Sequence, residues 1–213
     1  MRRTKRLVAI LLAAAALFML AACGSDMEPN AVGSPVGEQI DHAYTNNLFL
    51  FRCDLPEDWV IASKEERLAL IGLTRESYDN EDLDKMLERA GTWYELYAST
   101  PDDTARLSIT VERAAVMNRI AYSPETLLDG NAEPMKANLE ASGLQNVQSE
   151  RGKKEIGGSN REYLLLSGEY EGKMMYIETF YIKTGSYFAC MTLSSFGEDH
   201  TAEMESFFAP NIL

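Results

Sequence analysis

The chain has 213 residues, with 33 Asp and Glu against 20 Lys and Arg, a formal net charge of −13. Four of the basic residues (Arg2, Arg3, Lys5, Arg6) fall within the first 22 positions, which hold no acid, so the remainder is more acidic still. That balance excludes nucleic acid as a partner, because phosphate binding needs clustered Lys and Arg, and excludes adhesion to anionic lipid by charge.

Met1–Arg6 is a basic segment, and Leu7–Leu20 is an unbroken apolar run of 14 residues. A bilayer span needs about 20, so the run has the length of a secretory signal core instead. It leads into Leu20-Ala21-Ala22-Cys23-Gly24-Ser25, which resembles the bacterial lipoprotein box: an aliphatic residue, two small residues, then Cys. The resemblance implies cleavage between Ala22 and Cys23, a diacylglycerol on the Cys23 thiol, and residence on the extracytoplasmic face of the cell membrane. One acyl chain anchors only marginally, whereas two or more hold a protein to a membrane. Residues 24–39 are rich in Gly, Pro, Ser and Asn with no sustained periodicity, the composition of a flexible tether. The expected organisation is a signal at 1–22, a lipidated Cys23 with tether at 23–40, and one domain at 41–213.

The domain is expected to open with a strand from Leu48 to Leu55, in which Phe49, Phe51 and Cys53 alternate with Leu50, Arg52 and Asp54. Pro56-Glu57-Asp58 then turns into Trp59-Val60-Ile61, so the two runs read as a hairpin. Ser63 with Glu66 three residues on is a capping box opening a short helix over Leu68–Leu70. Leu83, Met86, Leu87 and Ala90 lie at helical spacing, with Gly91 as the C-terminal stop. Two strands follow, Trp93–Ser99 and Arg106–Glu112; in the second, Leu107, Ile109 and Val111 oppose Ser108, Thr110 and Glu112. Ser123-Pro124-Glu125 starts a helix, which Gly130 and Pro134 are expected to break before it ends at Ser142-Gly143. Arg161–Tyr170, Met174–Lys183 and Ser186–Ser194 read as an antiparallel meander joined through Glu171-Gly172 and Thr184-Gly185. A short helix with Met204, Phe207 and Phe208 on one face closes the chain.

Strands adjoin strands and helices are grouped, so the class is α+β: a twisted, mostly antiparallel β-sheet with helices packed on its faces. Asn47-Leu48-Phe49-Leu50-Phe51 running into Leu55-Pro56-Glu57-Asp58-Trp59 resembles the opening of PsbP-like α/β-sandwich domains. The resemblance implies a non-enzymatic module that binds or assists other extracytoplasmic components, and it carries over no catalytic residues. The segment Leu70–Leu83 departs from it.

The search for chemistry yields little. His42 and His200 are the two histidines, both in expected loops, and no nucleophile motif accompanies them. No H-E-x-x-H, C-x-x-C or phosphate loop occurs, and Gly157-Gly158-Ser159 reads as a turn. Asp79-Asn80-Glu81-Asp82-Leu83-Asp84 fails the calcium-loop pattern at its fifth and sixth positions and reads as a helix start. No catalytic residue, metal or cofactor is expected. Cys53 and Cys190 are either a disulfide or two buried thiols; a bridge would be worth about 4–5 kcal/mol in the chain-entropy account. Tyr176, Phe180, Tyr181, Tyr187 and Phe188 place aromatics on both faces of the meander, one face against the core and the other either covered or open to a ligand. The expectation is a lipid-anchored, extracytoplasmic, non-enzymatic module binding an envelope protein. The alternative is a small-ligand or glycan-binding lipoprotein using that aromatic face.

Overall fold

The computed structural model describes residues 35–70, 91–114 and 122–211. Among them two antiparallel sheets face one another. The smaller has the order β1-β2-β3-β11, formed by Glu38–Ile40, Ala43–Asn46, Phe51–Asp54 and Phe208–Pro210. The larger has the order β4-β5-β6-β10-β9-β8-β7. Its strands are β4 (Val60–Ile61), β5 (Thr92–Ser99), β6 (Ala105–Arg113), β7 (Gln145–Ile156), β8 (Ser159–Tyr170), β9 (Lys173–Thr184) and β10 (Tyr187–Gly197). The helices are α1 (Lys64–Leu70), α2 (Pro124–Ala141) and α3 (Thr201–Glu205). The class is the α+β expected from the pattern of strand runs.

Strand alternation gives the large sheet two buried faces. Leu96, Leu107, Ile109, Val111, Phe180, Met191 and Leu193 meet Tyr44, Phe51, Cys53 and Phe208 of the small sheet in a first core. On the other face, Leu164, Leu166, Met175, Ile177 and Tyr181 meet Leu128, Met135 and Leu139 of α2 in a second. The layers are therefore sheet, sheet and helix, and one face of the large sheet is covered by strands where helices were expected.

Four expectations are corrected by this arrangement. The Phe51 and Val60 strands are no hairpin: β3 pairs with β2 and β11, whereas β4 pairs with β5. The Pro56–Asp58 turn hands the chain from one sheet to the other, and Trp59 plugs the first core edge-on against Phe207 at 5.3 Å. Residues 48–50 are not strand, because Asn46 Oδ1 accepts the backbone N–H groups of Leu48 and Phe49 and closes a turn. The helix from Ser123 is not broken; α2 runs through Gly130 and Pro134 to Ala141. An interior Pro costs about 3 kcal/mol, but Leu128, Met135 and Leu139 lie on both sides of it and are all buried on the sheet. Helical stability in proteins comes mostly from such packing. Finally, Phe208 belongs to strand β11 instead of the closing helix, which stops at Glu205.

Other readings match. Ser63 N and Glu66 N exchange hydrogen bonds with Glu66 Oε2 and Ser63 Oγ, the capping box. Ser123 Oγ accepts from Thr126 N at the start of α2. The links Glu171-Gly172 and Gly157-Gly158 take positive φ throughout, as tight hairpins require. Strand β7 was not anticipated, and β1 occupies part of the stretch expected as tether. The Leu83–Ala90 helix and the Asp79–Asp84 acidic run lie outside the described residues.

Candidate functional site

Strand β6 turns Leu107, Ile109 and Val111 into the first core, so Arg106, Ser108, Thr110 and Glu112 point to the opposite face. The sheet register builds rows around them. Thr110 lies between Tyr94 and Cys190, Ser108 between Tyr97 and Thr192, and Arg106 between Ser99 and Ser194. Glu112 lies between Thr92 and Phe188. A β-bulge makes this possible. The register shifts between Tyr94 and Leu96, so the extra residue Glu95 lets Tyr94 and Tyr97 share one face while Trp93, Leu96 and Ala98 serve the other.

The result is a patch of hydroxyl side chains beside the part of the sheet that α2 covers, since α2 packs chiefly on β7, β8 and β9. Tyr94, Tyr97, Ser108, Thr110, Glu112 and Thr192 are half-buried, so the patch is recessed. Arg106 is buried and tied to Asp103 by a bidentate contact through its Nε and Nη2. Burial pushes the Glu112 carboxyl up to about 7. Burial, then the Glu112 charge, raises the Tyr94 phenol. A recessed, near-neutral carboxyl on a polar face marks a binding-site candidate. Its hydroxyls both donate and accept, and its phenol rings offer apolar faces.

The meander aromatics lie on both faces of the sheet, and each face packs against a core. Phe180 is in the first core, edge-on to Phe208 at 5.8 Å. Tyr181 is in the second, where its hydroxyl accepts from Asn131 Nδ2 at 3.2 Å. Phe188 joins the second core, Tyr187 packs beside Trp93 at the edge of the first, and Tyr176 is half-buried. A period of two sends sequence neighbours to opposite sides, and both sides of the meander carry a packed layer. Cys53 and Cys190 are free buried thiols in different cores. Burial raises both, Cys190 to about 12. His42 lies in the β1–β2 turn, and His200 caps α3 beside Glu203. Among the described residues no three His, Cys, Asp or Glu side chains converge as metal ligands, and no helix is long and apolar enough to cross a membrane. Cys23 lies outside the described residues.

Part of the hydroxyl face is visible in the sequence, where Ser108, Thr110 and Glu112 alternate along one side of a strand. What alternation cannot reveal is the bulge at Glu95, or that β10 lies next to β6 and brings Thr192 and Ser194 alongside.

No family model matches the chain, and no curated protein matches it. Solved structures resemble it weakly. A Bacteroides thetaiotaomicron VPI-5482 protein superposes with a TM-score of 0.43 at 12% identity, over 79% of this chain and 48% of its own. The chain thus spans about half the length of that protein. LpqN, involved in cell envelope biogenesis of Mycobacterium tuberculosis, gives 0.38 at 13% identity, over 74% of this chain and 76% of its own. A Pseudomonas aeruginosa protein of unknown function gives 0.26 at 20%, over 42% and 58%. Scores this low say nothing of shared activity.

Proposed function

We propose that this chain is a lipid-anchored, extracytoplasmic, non-enzymatic binding module that engages a protein of the cell envelope. The observation that carries the reading is the ordered series of basic segment, 14-residue apolar run and Leu20-Ala21-Ala22-Cys23 box. The anchor holds the domain on a short leash: Gly37 lies 14 positions after Cys23, an extended reach of at most about 50 Å. The test is crosslinking in intact cells with the Cys23→Ser chain as control. An envelope protein captured by the anchored form and lost from the control supports the reading; equal capture by both forms, or none, contradicts it.

A second reading has its own support in the hydroxyl face. Ser108, Thr110, Thr192 and the Tyr97 ring, next to the Glu112 carboxyl, suit a polyhydroxylated ligand such as a saccharide. Titration with N-acetylglucosamine oligomers, followed by tyrosine fluorescence, tests it. Saturable binding that Tyr97→Ala abolishes supports the saccharide reading, and no binding by the wild type removes it.

A further inference from the structure

Glu178 is fully buried in the middle of β9, whose Met175, Ile177, Phe180 and Tyr181 are core side chains. It faces the first-core side of the sheet, like Phe180 and Ile182. Among the described residues one cation meets it there: Lys154 Nζ on β7 lies 2.8 Å from Glu178 Oε1. The same nitrogen lies 2.7 Å from Glu205 Oε1, in the last position of α3. A single ammonium therefore holds two carboxylates from distant parts of the chain. It also sits 4.1 Å from the centre of the Tyr163 ring on β8, whose hydroxyl donates to Glu150.

Glu178 shares its ammonium with a second acid: among the described residues Lys154 is the cation paired with it, and Glu205 competes for the same Nζ. Its cross-strand neighbours, Leu165 on β8 and Leu193 on β10, are apolar. Arg161, the cross-strand partner of Lys154, spends its Nε on the Ile156 carbonyl. With both acids ionised, the cluster carries one more negative charge than positive. Burying an unbalanced charge is costly, and one proton taken from solvent onto Glu178 removes the imbalance. Burial raises the Glu178 carboxyl above the usual carboxylate range; the Lys154 contact opposes the shift and Glu205 adds to it. Burial alone would lower Lys154, but its two ion pairs outweigh that and hold it raised, so it stays charged.

What the cluster fastens is the end of the fold. Glu205 closes α3, and α3 leads through Phe207 into β11, which pairs with β3 to complete the small sheet. Phe208 of β11 packs on Phe51 and Phe180. We propose that Lys154, Glu178 and Glu205 form a pH-governed clasp that holds the α3–β11 segment against the large sheet in mild acid and loosens it in mild alkali. The clasp is independent of the binding readings above, and it gives the closing strand of the small sheet a response to external acidity.

The test is amide hydrogen exchange of the full chain at pH 5.5, 7.0 and 8.5, corrected for the pH dependence of intrinsic exchange. Protection of residues 201–211 is expected to fall more than tenfold from pH 5.5 to 8.5, while β6 amides keep theirs. Glu178→Gln carries no titrating charge, so its α3–β11 protection is expected to stay flat across that range. Glu205→Gln, at a more accessible position, should flatten the profile as well and serves if Glu178→Gln fails to fold. Identical profiles for wild type and both variants, or protection that rises with pH, would overturn the proposal.

Discussion

Gly37 donates its backbone N–H to the Glu95 carboxylate at 2.7 Å, across 58 positions of chain. Glu95 is the bulged residue of β5, and the Tyr44 hydroxyl reaches the same oxygen. Asn46 Nδ2 donates in turn to the Tyr44 hydroxyl and to the Pro35 carbonyl. One irregularity in the large sheet thus fixes the point at which the segment from Cys23 enters the domain, and it also aligns Tyr94 with Tyr97 on the hydroxyl face.

A methyl group at position 37 would lie 2.5 Å from the Tyr44 ring. Tyr44 is fully buried and hydrogen-bonded, so it has nowhere to swing. Gly37→Ala is expected to cost about 1–3 kcal/mol of overpacking, read as a lowered urea midpoint. Gly130 in α2 has nothing within 4 Å of its added carbon. Gly130→Ala should therefore stabilise by about 0.5–1 kcal/mol, and equal effects at the two glycines would refute the packing argument.

Arg106 is held in place by Asp103, which sits in the left-handed region at φ 63°. Asn tolerates that backbone, so Asp103→Asn removes the charge while keeping the turn. A buried guanidinium left without its counter-charge should cost about 3 kcal/mol or more. Chemical denaturation measures it, and a change below about 0.5 kcal/mol, the size expected at an ordinary surface site, would contradict the reading.

Glu112 gives the hydroxyl face a pH signature. Its folded pKa, about 7, lies above the unfolded carboxyl value, so the folded state binds the proton more tightly. The stability it contributes is fully present below about 4.3 and is lost as pH rises through 7. Burial raises Glu95 as well, which adds in the same direction. Urea midpoints should accordingly fall from pH 5 to 8, with a shallower fall for Glu112→Gln. A midpoint that climbs over this range would show that the carboxyl is not desolvated.

Cys53 and Cys190 are both buried, and burial raises both thiols above the usual range, so few are ionised at neutral pH. Native protein should react with a thiol reagent at Cys53 and Cys190 only slowly, on the timescale of unfolding, and both should label at once in denaturant. Rapid labelling of the folded chain at Cys53 or Cys190, located by peptide mass, would place that thiol at the surface.

Alternation made the strands legible: β5, β6 and the three-strand meander were readable from residues such as Leu107, Ile109 and Val111, as was the Ser63–Glu66 cap. Long-range choices were not. Pro134 reads as a helix breaker because the local penalty is visible in sequence, whereas the burial of Leu128, Met135 and Leu139 that outweighs it depends on where β8 and β9 lie. Pro56–Asp58 reads as a hairpin turn because nothing local distinguishes returning to the same sheet from crossing to another. The aromatics at Phe180 and Tyr181 are conspicuous in sequence and structural in the fold, while the hydroxyls of β6 are plain in sequence and conspicuous only once β10 is beside them.

The most direct test of the account is metabolic labelling of the full chain with an alkyne fatty acid in a bacterial host, with membrane fractionation of the wild type and Cys23→Ser. The account predicts a labelled wild-type chain that sediments with membranes, and an unlabelled Cys23→Ser chain released from them. A wild-type chain without label, or a Cys23→Ser chain that keeps both label and membrane association, would contradict it.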